Sequence, residues 1–300
     1  ATCVKWFPDK RGMITGLAVA GFGLGSVFWA PVAVILVAKY GPLTTFLIQA
    51  IYSFIGIVIG GSLMKAAPEG YKPEGWNPPA VKAGQIGPSK YDFTSREMLK
   101  TFNYYYLLVM YAFANVAGLM IIAHASPIGQ QVAGLTAMEA GSIVSLLAVF
   151  NTFGRLFWGT ISDKIGRTRV VFIMYVLSAA AMFGMNALNT FWLYGLGVAV
   201  IAFCFGGAMG TFPSIAADFY GPKHVGTNYG FIFLAYSIGA IVGPRLAAVI
   251  VETNNGDYQM TFMITGVLCS VGAVMALLAR APKEPVQSKV EINATSEFSK

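Results

Sequence analysis

Eight apolar runs, each about as long as a lipid bilayer is thick, constrain this chain more than any other feature. They fall at about 13–38, 43–64, 102–127, 137–162, 170–188, 191–216, 226–251 and 259–279. A membrane-crossing helix needs roughly 20 apolar residues. In lipid, backbone groups must be satisfied within the segment, so helices are the expected element. With 56% apolar and 11% charged side chains, the expectation is an all-α membrane protein with eight transmembrane helices. The 34 glycines and 14 prolines lie largely in or beside these runs, as close helix packing and bending in lipid require.

Charge placement gives the topology. Lys5, Lys10 and Arg11 precede the first run, six basic residues from Lys65 to Lys100 lie between the second and third, and Lys164, Arg167 and Arg169 follow the fourth. Lys223 follows the sixth, and Arg280, Lys283, Lys289 and Lys300 follow the last. Seventeen of the twenty basic residues thus occupy alternate connections, the side expected to be cytoplasmic, with loop 65–101 and the C-terminus on it. The net charge of +7 reads as a topology signal, with acidic lipid headgroups rather than nucleic acid as partners. Cys3, Cys204 and Cys269 are too scattered for a disulfide framework or a metal site. Gly21-Phe22-Gly23-Leu24-Gly25 lacks the strand and downstream acid of a dinucleotide site, and no cofactor is expected.

A polar stretch rich in Pro and Gly, 65–101, separates two runs from six. The expected organisation is 1–64 as two helices of an incomplete first bundle, 65–101 as a central loop, 102–280 as a six-helix bundle and 281–300 as a tail. Thr94-Ser95-Arg96-Glu97 has capping-box spacing. A faint repeat relates Trp6-Phe7-Pro8-Asp9-Lys10-Arg11-Gly12 to Phe219 through Gly226. Within the six-run second half four runs precede its copy, whereas in the first half none does, so the chain reads as truncated at its start.

Arg155 lies inside the fourth run, one helical turn after Asn151. A guanidinium at membrane depth costs at least about 2.5–3.5 kcal/mol and cannot shed its proton. The expected reason for its presence is an anion, with Asn151 on the same face as a neutral donor or orienting group. The run ends in Gly159-Thr160-Ile161-Ser162-Asp163-Lys164-Ile165-Gly166-Arg167, where a carboxylate, a cation and turn-permitting glycines suit a conformational fastening. His124, near the outer end of the third run, is the candidate for proton coupling.

These residues carry a resemblance. The Trp6–Gly12 segment, Asp92 to Leu99, Asn151 to Arg155, Phe157 to Arg167 and Asn228-Tyr229-Gly230-Phe231 together resemble the oxalate/formate antiporter family of the major facilitator superfamily, from Trp6 to about Arg280. The resemblance implies helices five to twelve of a twelve-helix carrier, hence half of its binding site. It equates Arg155 with an arginine of oxalate-exchanging members and puts Tyr236 where they carry a lysine. Phe22, Phe205 and Phe233 fall at positions of substrate-enclosing aromatics, and Met209 replaces another. It also implies a gating role for Gly159, Asp163, Gly166 and Arg167.

One fixed cation beside a phenol suits a single carboxylate better than a dianion. The expected function is alternating-access transport of small monocarboxylates of the formate, lactate or pyruvate class, by antiport or by symport with protons. A prokaryotic inner membrane and a monomer are expected. Competing readings are a proton-driven exporter of lipophilic compounds, whose usual embedded carboxylate is not found mid-span, and a transport-inactive receptor on the same bundle. A membrane enzyme would need clustered acids, metal ligands or an activated nucleophile, so none is expected.

Overall fold

The computed structural model describes residues 2–68, 71, 73, 89 and 91–283, excluding the side chains of 22–24, 26–28, 30, 31 and 34. The described residues form α1 (Thr2–Trp6), α2 (Arg11–Leu63), α3 (Ser95–Leu99), α4 (Phe102–Val132), α5 (Ala137–Ile165), α6 (Arg167–Gly184), α7 (Phe191–Tyr220), α8 (Val225–Ile232), α9 (Leu234–Thr253) and α10 (Gln259–Leu278). Seven helical segments among them are long and apolar enough to cross a membrane, the first starting at Ile35. Most of the expected tail, 284–300, and most of loop 65–90 lie outside the described residues.

α2 contains two of the expected spans. Gly41, at φ 76° and ψ 167°, leaves the helical region at the interval between the runs 13–38 and 43–64. A side chain would strain that backbone, whereas glycine adopts it freely. The arms then lie side by side: Trp29 stacks on Tyr52 at 3.7 Å, and Trp6 Nε1 donates to the Lys65 carbonyl at 2.9 Å. Leu43, Phe46, Phe54 and Ile57 on the second arm are exposed, a surface suited to an apolar solvent.

The other long helices share one apolar core. α5 packs on α7, α4 on α9 and α6 on α10, with α7 the central element. The Thr94–Glu97 capping box forms and starts α3, while Thr136 and Glu139 form a second one at the head of α5. The seventh run is interrupted at Phe233, which separates α8 from α9. α7 runs four residues beyond the expected end at 216, so Asp218 lies inside a helix and is buried.

Candidate functional site

Arg155 is 4% exposed on the α5 face that meets α2 and α7. Its Nε donates to Asn151 Oδ1 at 3.2 Å, Nη1 donates to the Val19 carbonyl of α2, and Nη2 lies 4.0 Å from Met209 Sδ of α7. Asn151 therefore holds the guanidinium by its carbonyl oxygen. The phenols of Tyr111 and Tyr236 both interact electrostatically with Arg155. Tyr236 stacks on Phe233, with ring centroids 5.1 Å apart and planes 7° apart. The break at Phe233 thus places consecutive aromatic residues of the seventh run on one wall of the site.

Five of the sequence-derived candidates, Arg155, Asn151, Tyr236, Phe233 and Met209, come together. Phe205 packs on Gly118 of α4 and lines a small pocket with Tyr175, Cys204, Phe212 and Cys269. That lining includes neither Arg155 nor Tyr236. The Phe22 side chain lies outside the described residues. Tyr111 is an addition that sequence reading missed, because a tyrosine in an aromatic-rich run carries no distinguishing mark. It is fully buried, stacks on Phe212 at 3.9 Å, and its hydroxyl is 3.4 Å from that of Tyr229.

The gating candidates form a second constellation about two turns further along α5. Asp163 accepts hydrogen bonds from the backbone N–H groups of Gly12 and Met13, both at 2.9 Å, capping the start of α2. A carboxylate there satisfies unpaired donors and the positive end of the helix dipole. Arg167 pairs with Asp163 at 2.6 Å and with Asp218 at 3.1 Å, and Arg11 pairs with Asp218 at 3.0 Å. Gly166, at φ 100°, ends α5 and starts α6, which turns Arg167 back toward Asp163. Two carboxylates and two guanidiniums thereby bridge α2, α5, α6 and α7.

Close backbone contact completes this junction. A Cβ on Gly12 would lie 2.1 Å from the Gly159 carbonyl oxygen. Thr15 of α2 donates to the Gly210 carbonyl and lies 3.0 Å from Ser214 Oγ. Arg11 and Asp218 were missed as members of this ion-pair cluster because they sit at the edges of apolar runs, where charges are ordinary. Their joint burial is a tertiary property.

His124 lies elsewhere. Its Nε2 is 3.2 Å from the Pro244 carbonyl and its Nδ1 3.2 Å from the Tyr258 hydroxyl. A carbonyl only accepts, so Nε2 carries a proton and, in the neutral ring, Nδ1 accepts from Tyr258. The imidazole links α4, α9 and the head of α10.

Comparison with known proteins decides the family. The Major Facilitator Superfamily model matches residues 1–244 and again 106–299. The chain belongs to the major facilitator superfamily. It is 35% identical over 246 residues to the uncharacterized MFS-type transporter YhjX of Escherichia coli, covering 80% of this chain and 58% of that protein. It is 30% identical over 302 residues to the oxalate:formate antiporter of Oxalobacter formigenes, covering 97% of this chain and 68% of that one. A shorter match, 37% over 106 residues, covers 35% of this chain and 15% of apicoplast pyruvate carrier 2 of Toxoplasma gondii. The chain therefore spans about three fifths to two thirds of the length of the first two relatives. Membership makes it a multi-pass membrane protein of a carrier family, as the apolar runs and the resemblance led one to expect.

Proposed function

We propose that this chain supplies the larger part of a secondary carrier for small organic monocarboxylates, with Arg155 as the carboxylate anchor. The observation that carries this reading is the burial of Arg155 where α2 meets α5 and α7, with Asn151 orienting it and the Tyr111 and Tyr236 phenols in electrostatic reach. The guanidinium presents only N–H donors, the set a carboxylate accepts in bidentate fashion, and the phenols add O–H donors beside it. One fixed charge balances one carboxylate. Formate, lactate and pyruvate fit that balance better than oxalate.

The four-residue charge cluster is the gate on the cytoplasmic side, where the basic connections lie. With it fastened, α2 is held against α5 and α7 below Arg155, and the bound anion exchanges with the opposite side. Unfastening it while the far side closes completes alternating access. Exchange of one carboxylate for another needs no titrating group. Symport with a proton needs one, and His124 is thirteen residues from Tyr111 on α4, about 20 Å along the helix. That distance favours exchange over direct proton trading at Arg155.

The test is counterflow in proteoliposomes with the complete carrier. Labelled lactate or formate is expected to enter against an internal monocarboxylate, and Tyr236→Lys should shift preference toward oxalate. Absence of carboxylate-dependent flux would favour a transport-inactive receptor. Flux of lipophilic cations instead would favour an exporter.

A further inference from the structure

The Tyr111–Tyr229 pair has a proton to spare. Two phenols carry two O–H donors, and a single contact between their oxygens uses one of them. That contact is 3.4 Å long, well beyond the 2.7–2.8 Å usual for O–H···O bonds. Among the described residues neither hydroxyl has another hydrogen-bonding partner. The Tyr111 ring belongs to the apolar interior, 0% exposed and stacked flat on Phe212, while Tyr229 is half-buried and packs against Phe233. A buried donor without an acceptor is unfavourable, so such a site selects a ligand that brings one.

Its position says which part of a ligand that is. Tyr111 is the member of the pair that interacts electrostatically with Arg155, its ring centroid lies 6.4 Å from that of Phe233, which stacks on Tyr236, and Tyr229 reaches this cluster through its contact with Tyr111. A carboxylate bound bidentately on Arg155 directs its oxygens at the guanidinium, and an oxygen on the adjoining carbon is the next acceptor along the ligand.

We propose that the Tyr111–Tyr229 hydroxyl pair is a specificity-determining donor for that second oxygen, so that the carrier prefers 2-oxo- and 2-hydroxy-monocarboxylates to unsubstituted ones. The inference rests on the reading of Arg155 as carboxylate anchor. Formate has no adjoining carbon and propionate no oxygen there, while pyruvate and lactate have both. Acceptance at 3.4 Å separation lets one ligand oxygen receive protons from both phenols, replacing their weak mutual contact.

The experiment is inhibition of labelled pyruvate exchange by pyruvate, lactate, propionate and formate, in proteoliposomes of the complete carrier. The unaltered protein is expected to favour pyruvate over propionate by at least about tenfold, one good hydrogen bond's worth. A ratio near one overturns the proposal without any variant, so misfolding cannot shelter it. Tyr111→Phe keeps the stack on Phe212 and Tyr229→Phe keeps the contact with Phe233. Each should collapse the pyruvate-to-propionate ratio by about tenfold. Equal weakening of all four acids would assign the pair to helix packing and defeat the inference. Arg155→Gln in the same assay separates the two levels: retained inhibition by all four acids defeats the anchor itself, whereas loss of all four with an unaltered ratio in the tyrosine variants defeats only the donor pair.

Discussion

Arg11 offers the cleanest handle on the latch, because its ion pair joins α2 to α7 while the remaining two ion pairs of the cluster join α5, α6 and α7. Arg11→Gln removes the 3.0 Å contact to Asp218, whose other oxygen keeps Arg167 at 3.1 Å. The carboxylate is therefore not stranded, and the loss is one charge-assisted hydrogen bond, about 1.5–3 kcal/mol. Arg11 Nε is buried without a partner among the described residues, and its release from that position offsets part of the loss. The lower end applies, about 1.5 kcal/mol, or roughly tenfold in the open fraction of the gate. Ser214 reads that fraction directly: it is fully buried against Thr15 behind the latch. With Cys3, Cys204 and Cys269 changed to serine and Ser214→Cys introduced in the complete carrier, alkylation by a charged maleimide from the cytoplasmic face should accelerate about tenfold. A rate within twofold of the Arg11 parent would refute the latch as an energetic element.

Two other outcomes follow from the same geometry. Gly12→Ala puts a methyl group 2.1 Å from the Gly159 carbonyl oxygen, and backbone cannot yield as a flexible side chain can. It should open the gate in the Ser214→Cys assay even with all three ion pairs intact, and unchanged alkylation would show that the helices do not need this approach. Hydrogen bonds from the Thr94 backbone and hydroxyl hold the Glu97 carboxyl below its ordinary value of 4.5. Because the folded value is the depressed one, the cap's contribution is complete above 4.5 and is lost as pH falls through the folded value. Hydrogen-exchange protection over 95–100, relative to the intrinsic rate at each pH, should hold at pH 5 and fall at more acid pH, while Thr94→Ala, costing about 1 kcal/mol, should lower it throughout.

The spans were legible because bilayer thickness imposes a length on apolar runs, and the Gly41 reversal falls between two of them. Arg155 was legible for a related reason: a permanent charge inside such a run violates the pattern that surrounds it. Asn151 followed from helical spacing alone, and the structure assigns its oxygen to Arg155 Nε. The reading of Phe205 came from the resemblance alone, and its ring lies against Gly118 of α4. Asp218, Arg11 and Tyr111 were hidden because nothing local distinguishes them. Each acquires its meaning from residues 51 to 207 positions away, through Arg167, Asp218 and the Tyr229 partner.

The account stands on Arg155 binding the substrate's carboxylate, and equilibrium binding measures this without reference to flux or coupling. Calorimetric titration of the purified complete carrier with pyruvate should show saturable binding that Arg155→Gln weakens by at least about a hundredfold, as expected for losing a bidentate charged partner. Saturable binding of unaltered affinity in Arg155→Gln, with the variant folded, would contradict it.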